Sequence, residues 1–417
     1  MNEARLLLSI NTKRSFNFFV LYLIFGFIGA VFLSILFKLE TNIISVSYRA
    51  SVLFASILLI TNAILKKHFF VSKWFLPLFL FLVLFALRSV YTFEVLNFDR
   101  HNNQYDPITI YFFMIGSILA PILALALNYK SFDIHYFNKH IHTILILCGS
   151  LIIIGIFLRY DGNIFQLVAK RYLLWNQKGE IEGSFSTFNP ILISRYGALL
   201  VLIFSLPFNL RKFKRAIGIL LGVMLLAIGG SRGPILALAF IYSLFLFRHP
   251  RKLIVWIIFG LPIGITLFNL LIIANVEVDL FERFSSEEIG TVGNRIGHWS
   301  ASLKTIINYP LFGNQIWQGE DYVYPHNLFL EATISTGFFG LLLLLSSLFG
   351  FLMKFKLSKI NNNNILINYA FALQLLFTMT SGAVYTNFEF WYFFVLVTGQ
   401  QTNFFNKKIN TQIKKII

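Results

Sequence analysis

The stretch of sequence that decides the fold is YPHNLFLEATISTGFFGLLLLLSSLFGFLM, residues 324–353. From Asn327 onward it is an apolar run long enough for a membrane helix, which needs about 20 residues. Pro325, His326 and Asn327 stand directly before the run, and such a step is typical of a helix start. The stretch therefore predicts a membrane helix with His326 at its boundary with water. A titratable side chain at such a boundary is a candidate functional residue.

The composition extends this prediction to the whole chain. Of the 417 residues, 57% are hydrophobic and 13% are charged, and the mean hydropathy is +0.72. Soluble globular domains have a very different balance. We expect an all-α polytopic membrane protein with about 12 transmembrane helices, forming a single membrane domain over residues 1–417. The single cysteine, Cys148, lies in an apolar run, so we expect no disulfide framework, thiol chemistry or metal site.

Apolar runs suited to membrane helices occur along the whole chain. They cover residues 16–37, 44–65, 74–92, 107–127, 140–158, 191–208, 216–230, 234–247, 253–275, 327–353, 364–384 and 388–402. We expect the first run to be a membrane helix and not a cleavable signal peptide. The seventh and eighth runs are short and separated only by residues 231–233, which predicts a tight hairpin or a re-entrant pair.

Lysine and arginine are concentrated in alternate loops, and this bias predicts the orientation in the membrane. With the N-terminus inside, the cytoplasmic segments contain 22 of the 35 basic residues but only Glu3 and Asp133 of the 18 acidic ones. The net charge of +17 is therefore mostly a topology signal, and we expect cytoplasmic termini and no nucleic-acid partner. Two outer loops, 159–190 and 276–325, are long enough to indicate function.

Among the arginines on the outer side, against this charge bias, five are candidate ligand contacts: Arg49, Arg88, Arg195, Arg232 and Arg295. The first three lie near the outer ends of predicted spans, the fourth in the short link at 231–233, and the fifth in the second long loop. A single arginine near a helix end can extend to lipid phosphates or pair with a glutamate. Five on one side indicate an anionic ligand.

The local sequence around two of these arginines strengthens that interpretation. Pro234 follows Arg232 and belongs in the first turn of an inward-running helix. Asn294 is expected to cap a second helix and to place Arg295 at its positive end. That helix has an apolar stripe suited to lying along the membrane or over the bundle, formed by Ile296, Trp299, Leu303, Ile306 and Ile307. Phosphate fits helix N-termini and arginine best.

His326 adds a candidate base, because imidazole titrates near neutral pH and can accept a proton from a hydroxyl group. The alternative is a structural histidine that only forms hydrogen bonds. His298 is a weaker candidate for the same role. The spacing of histidines and carboxylates does not fit a metal site, so we expect neither a metal nor another cofactor.

Three ordered patterns within residues 216–345 resemble the O-antigen ligase and O-antigen polymerase superfamily of bacterial envelope enzymes. The first is Arg-x-x-x-Leu, with Arg232 and Leu236. The second is Arg295 to Trp299 followed by Asn-Tyr-Pro-Leu-Phe-Gly at 308–313. The third is His326-Asn327, nine residues, and Gly-Phe-Phe-Gly at 337–340. The rest of the chain resembles the superfamily only in topology.

The resemblance implies a metal-independent, inverting glycosyltransferase at the periplasmic face of the bacterial inner membrane. Its donor would be a glycan on undecaprenyl pyrophosphate. In this chain Arg232 and Arg295 would hold the pyrophosphate, and His326 would deprotonate the acceptor hydroxyl. Glu331, one turn after His326, would orient it or be structural. The charge argument alone adds auxiliary phosphate or acceptor contacts at Arg195, Arg49 and Arg88.

Three alternatives differ in what the protein does with the donor. A polymerase transfers the glycan to another lipid-linked repeat unit, and a ligase transfers it to lipid A-core. We favour the polymerase because such enzymes are the more numerous and varied members. A flippase or other transporter for lipid-linked oligosaccharides is the third alternative, but it predicts functional charges near the bilayer midplane. Membrane lipids and a polysaccharide chain-length regulator are further expected partners.

Overall fold

The computed structural model describes residues 2–37, 39, 41–66, 71–96, 107–159, 189–206, 210–247, 289–317, 324–355 and 364–399. Over these residues the predicted all-α class is confirmed. In chain order the helices are α1 (Asn2–Leu36), α2 (Thr41–Leu65), α3 (Phe75–Val90), α4 (Pro107–Phe112), α5 (Ala120–Leu127), α6 (Ile134–Arg159), α7 (Pro190–Ser205), α8 (Lys212–Gly229), α9 (Arg232–Phe247), α10 (Ile289–Asn308), α11 (Leu328–Phe355), α12 (Ile365–Thr378) and α13 (Phe388–Gly399). Two π-helical segments, Tyr91–Val95 and Phe113–Leu119, continue α3 and α4.

Helices occupy the predicted apolar runs wherever the structure describes them. The run 253–275 and nearly all of the loop 159–190 lie outside the described residues. Within the described ranges, six helical stretches are long and apolar enough to cross a membrane: Lys13–Leu36, Ile43–Leu65, Phe75–Val95, Ile110–Leu127, Ile134–Leu158 and Leu328–Leu352. The chain is therefore an integral membrane protein, and the total of about 12 spans stays a prediction.

The chain folds into two compact units. The first contains Met1–Phe27, Val46–Ile141 and Ile289–Ile417, and the second contains Ile28–Ser45 and His142–Glu288. The single membrane domain over residues 1–417 stays a prediction.

In the second unit, α8 and α9 both pack against α7. The contact between α7 and α8 is close because glycines face each other. A Cβ on Gly197 would lie 2.7 Å from the Gly222 carbonyl oxygen, and one on Gly222 would lie 2.9 Å from the Gly197 carbonyl oxygen. Small residues let membrane helices approach in this way. Gly230 ends α8 with a left-handed φ of +52°, and Ser231 leads into α9, so two helices separated by a very short link are present as predicted.

In the first unit, α3 and α10 both pack against α11. The sequence predicts one uninterrupted helix over 327–353, but the structure breaks it at Gly337, where φ is +66° and ψ is −168°. A β-carbon is disfavoured in this conformation. It would also lie 2.2 Å from the Leu311 carbonyl oxygen. The break therefore depends on a glycine and on the close approach of the Pro-Leu-Phe-Gly segment at 310–313.

The same segment supplies the hydrogen bonds that the break in α11 removes. The Phe338 amide donates to the Pro310 carbonyl at 2.8 Å, and the Phe339 amide donates to the Leu311 carbonyl at 3.2 Å. Irregular backbone within a membrane helix is tolerated where other protein groups satisfy its donors. The Pro-Leu-Phe-Gly and Gly-x-x-Gly patterns are therefore two halves of one backbone contact.

The helix α10 begins earlier than the sequence predicts. Because it starts at Ile289, Asn294 does not cap it and Arg295 lies in its second turn. The prediction that Arg295 occupies a dipole-positive helix end is wrong, since the dipole effect falls off within the first turn. Glycines at 290 and 293 weaken the helix but no proline blocks an earlier start.

The apolar stripe of α10 is divided between two environments. Ile306 is buried, whereas Ile296, Trp299, Leu303 and Ile307 are exposed. Exposed apolar residues along one face of a helix favour contact with lipid. Of the two predicted placements, this pattern favours a helix that lies along the membrane.

Candidate functional site

His326 precedes α11 in an unusual backbone conformation. Its φ of +54° makes it the one non-glycine residue with positive φ in the part of the chain that the structure describes. Such conformations cost energy and occur often at functional sites. The next residue, Asn327, caps the helix, because its Oδ1 accepts hydrogen bonds from the amides of Phe329 at 3.0 Å and Leu330 at 3.2 Å. The predicted helix start is confirmed, and the cap fixes where the chain enters it.

The His326 side chain is half-buried and packs against an aromatic ring. Its ring centroid lies 4.5 Å from that of Tyr324, with an angle of 66° between the ring planes. This edge contact restricts rotation of the imidazole, while the remaining exposure leaves it accessible. A restrained, accessible imidazole is what a general base requires.

The helix that carries Arg295 is attached directly beside His326. Trp299 Nε1 donates a hydrogen bond to the Pro325 carbonyl oxygen at 3.0 Å. Arg295 is exposed and lies four residues before Trp299, which places it on the same helix face, about 6 Å along the axis. The structure thus brings the Arg295 helix and the residue preceding His326 together, although they are far apart in sequence.

The predicted candidate His298 lies on the same helix, three residues after Arg295. It is half-buried, and its carbonyl oxygen accepts a hydrogen bond from Ser302 Oγ at 2.8 Å. This bond stabilises α10 but does not involve the imidazole. A chemical role for His298 stays a prediction.

Arg88, expected as an auxiliary ligand contact, donates to backbone carbonyl groups. Its Nη1 lies 3.1 Å from the Asn314 oxygen, and its Nη2 lies 2.7 Å from the Phe312 oxygen. These two bonds place the guanidinium across Gly313 and attach α3 to the segment after α10. The observed partners are neutral carbonyl groups, and a phosphate contact is still only expected.

Glu331 has a clear structural partner. It is 1% exposed, and its two carboxylate oxygens lie 2.9 and 3.0 Å from the Val384 amide nitrogen, which donates to them. The Val384 carbonyl oxygen in turn accepts from Trp391 Nε1 at 2.8 Å. These contacts tie α11 to the turn before α13, and they favour the structural alternative for Glu331 over orientation of His326.

In the second unit, Arg195 and Arg232 stand beside a buried hydrogen bond. Ser194 Oγ accepts from the Ser231 amide at 3.1 Å, and each arginine directly follows one of these serines in sequence. Arg232 is the first residue of α9, so the predicted arginine at a helix start with Pro234 in the first turn is confirmed. Both arginine side chains are half-buried. Arginines that follow two hydrogen-bonded serines on packed helices are candidates to bind an anion with several oxygens.

Arg49 lies in a different environment from the other arginines. It is 6% exposed, and its guanidinium carbon lies 3.1 Å from the centroid of the Phe113 ring. Phe113 begins a π-helical segment, a feature that often marks functional sites. The cation–π contact accounts for how the charge is accommodated, and a ligand contact for Arg49 stays a prediction.

Sequence reasoning missed Ser194 as a residue that positions this pair of arginines. Ser194 is fully buried, and a Cβ on Gly229 would lie 2.3 Å from its Oγ. A signal was present, because Gly218 and Gly222 form a Gly-x-x-x-Gly pattern that predicts a close helix partner. The pattern does not say which helix the partner is.

Among the residues that the structure describes, no three His, Cys, Asp or Glu side chains are grouped so that they could hold a metal ion. Cys148 is buried on α6. Metal independence of any reaction is not decided by this observation.

Comparison with known proteins identifies one segment of the chain. Residues 216–345 match the family described as O-antigen ligase. Searches of curated proteins and of solved structures gave no match. The matched segment contains most of α8, all of α9 and α10 and the first part of α11, and it includes Arg232, Arg295 and His326. The predicted resemblance is therefore confirmed: over residues 216–345 this chain is similar to the O-antigen ligase family.

Proposed function

We propose that this protein is a membrane glycosyltransferase. It transfers a glycan from a polyprenyl pyrophosphate, such as undecaprenyl pyrophosphate, to an acceptor hydroxyl at the periplasmic face of the inner membrane. The main support for this proposal is the hydrogen bond from Trp299 to the Pro325 carbonyl, because it joins the helix of Arg295 to the residue before His326. A cation and a base held within one unit are the groups that this transfer needs.

The proposed reaction is an in-line substitution. The acceptor oxygen forms a bond to the anomeric carbon while the bond from that carbon to the pyrophosphate oxygen breaks. The acceptor proton passes to the His326 imidazole, and the electron pair leaves with the pyrophosphate. Arg295 stabilises the charge that develops on this leaving group. The anomeric configuration is inverted.

Arg232 and Arg195 are proposed as further phosphate contacts. The support for this assignment is their placement on either side of the Ser194–Ser231 hydrogen bond and the position of Arg232 at a helix start. Guanidinium groups bind phosphate oxygens through paired hydrogen bonds. This pair is therefore the proposed anion contact among the described residues of the second unit.

The acceptor distinguishes two forms of the proposal. The polymerase form, which we put first, uses another lipid-linked repeat unit and fits regulation by a chain-length partner. The ligase form uses lipid A-core, and the description of the matched family favours it. Both forms use the same donor, base and leaving group.

The test supplies purified protein in nanodiscs with lipid-linked repeat units, with and without lipid A-core. A ladder of longer lipid-linked glycans would identify a polymerase, and glycan attached to the core would identify a ligase. Neither product from folded protein would overturn the proposed transfer and favour a transporter. Addition of a chelator distinguishes a metal-dependent reaction from the metal-independent one proposed.

Variants assign the roles in the same assay. His326→Ala should lower turnover by about 10²–10⁴-fold while donor binding is retained. His140→Ala is the matched control, since that histidine also contacts a tyrosine ring, Tyr136, at 4.4 Å. Unimpaired turnover of His326→Ala would exclude it as the base.

The arginines are tested in parallel with an exposed control. Arg295→Ala should lower turnover by about 10²–10³-fold, the usual loss when one charge-stabilising group is removed. Arg232→Ala should weaken donor binding. Arg14→Ala removes an exposed arginine of α1 and should leave both quantities unchanged. Full activity in Arg295→Ala and Arg232→Ala would remove the pyrophosphate proposal.

A further inference from the structure

The segment 309–317, which follows α10, is held from two sides, and Arg88 forms the strongest contact on one of them. Its two terminal nitrogens donate to the Phe312 oxygen at 2.7 Å and to the Asn314 oxygen at 3.1 Å. The carbonyl groups flank Gly313, whose φ of +66° turns the chain between them. Hydrogen bonds from a charged donor are stronger than neutral ones, so α3 holds this turn firmly.

Neighbouring residues of α3 and its π-helical extension continue the contact. The Ile316 amide donates to Thr92 Oγ1 at 3.3 Å, and the Phe93 ring lies edge-on to Trp317 with centroids 5.1 Å apart. Ile316 and Trp317 are buried. The π-helical segment at Tyr91–Val95 turns these side chains toward the segment 309–317, which α3 therefore holds along its length.

On the other side the segment 309–317 contacts both halves of the broken helix α11. The Asn314 amide donates to the Ile334 carbonyl at 2.9 Å, before the break, and the Pro310 carbonyl accepts from the Phe338 amide at 2.8 Å, after it. A Cβ on Gly313 would lie 2.5 Å from the Ser335 carbonyl carbon. The segment therefore connects the end of the Arg295 helix to the half-helix that begins after His326.

We propose that Arg88 is a positioning residue: by holding the segment 309–317 against α11, it sets the position of Arg295 relative to His326. Its planar group has two donors with the spacing to reach two carbonyl oxygens at once, which a single ammonium group cannot reproduce. Arg88 lies outside the matched region 216–345, and the role differs from the direct phosphate contact expected from the sequence. The proposal rests on the proposed function because turnover is one of its measurements.

The first measurement does not depend on transfer. Ser335→Cys, in a Cys148→Ala background, places a thiol at a fully buried residue whose backbone carbonyl lies against Gly313. The rate at which this thiol reacts with a small maleimide measures how often the segment 309–317 separates from α11. Arg88→Met should raise the labelling rate at least about tenfold, as expected when a protected group is opened, whereas Arg14→Met should not change it.

The second measurement separates positioning from ligand binding. Arg88→Met should lower kcat, by up to about 10²-fold for a displacement near 1 Å, with KM for the lipid-linked donor unchanged. Phe312→Cys and Phe339→Cys, whose rings have centroids 6.0 Å apart, permit a short bifunctional thiol reagent to fix the segment to α11. Both the Arg88→Met protein and the protein that retains Arg88 are crosslinked in this way. After crosslinking, the two proteins should have the same kcat.

Each outcome decides the role of Arg88. Faster labelling with crosslink rescue supports positioning. Unchanged labelling, or a raised donor KM that crosslinking does not restore, overturns it and makes Arg88 a ligand contact. If Arg88→Met does not fold, Thr92→Val removes the acceptor of the Ile316 amide while keeping the side-chain shape, and smaller effects in the same directions are expected. Absence of transfer by the parent protein would refute the proposed function but leave the labelling result valid.

Discussion

Replacing Gly337 by alanine tests the backbone contact between the break in α11 and the Pro-Leu-Phe-Gly segment at 310–313. The left-handed φ of +66° would cost a residue with a β-carbon about 1–3 kcal/mol. The new Cβ would lie 2.2 Å from the Leu311 oxygen and 2.4 Å from the Phe312 nitrogen. Both are backbone atoms, so the overlap can be relieved only if the two segments separate.

Separation removes the two hydrogen bonds donated by the Phe338 and Phe339 amides, each of which contributes about 1 kcal/mol. Together with the backbone strain, we expect local opening to become easier by about 3–5 kcal/mol. Since about 1.4 kcal/mol is a factor of ten, the opening equilibrium should rise at least about 100-fold.

Hydrogen exchange followed by mass spectrometry, on peptides covering 328–345, measures this opening directly. Gly297→Ala is the matched control, because it lies within α10 and a Cβ there meets nothing within 4 Å. Alanine is favoured over glycine inside a helix by about 0.5–1 kcal/mol, so the control should not speed exchange. Equal protection of 328–345 in the two variants would refute the close approach and the inferred role of the break.

Three further predictions follow from single contacts. Trp299→Phe keeps an aromatic ring but loses the hydrogen bond to the Pro325 carbonyl oxygen. Turnover should fall while the protein still folds. A turnover equal to that of wild type would contradict the attachment of α10 beside His326. Asn327→Ala removes a helix cap and should cost about 1 kcal/mol in thermal unfolding, whereas Asn327→Asp should retain most of that stability. Burial tends to raise the pKa of Asp133, but hydrogen bonds from the Tyr136 and His135 amides and the charge of Lys13 at 3.2 Å outweigh it and lower the pKa. The stability that comes from this lowered pKa is present above about pH 4, the ordinary Asp value. It is lost as the pH falls through the folded-state pKa. The melting temperature of the wild-type protein should therefore lose this contribution in acid, whereas that of Asp133→Asn should not.

Some features of the candidate site were predictable because they are local. The helix start at Asn327 follows from its capping side chain and the apolar residues that come next, and the start of α9 at Arg232 follows from Pro234 in its first turn. The start of α10 was not predictable from one asparagine, since Asn294 is as compatible with a helix interior as with its end. The left-handed conformation of His326 has no signal in the sequence, because a non-glycine residue adopts it only when its surroundings require it.

The sequence by itself determined the all-α class of this protein and the positions of the six long apolar helices found among the described residues. In a bilayer the backbone must satisfy its own hydrogen bonds, so long apolar runs become helices whatever surrounds them. Only the tertiary structure decided what the outer arginines do. Arg88 and Phe312 are 224 residues apart in sequence, and their hydrogen bond exists because α3 packs against α11. A charge pattern predicts a function for these arginines, but packing determines whether one faces a carbonyl oxygen, an aromatic ring or a phosphate.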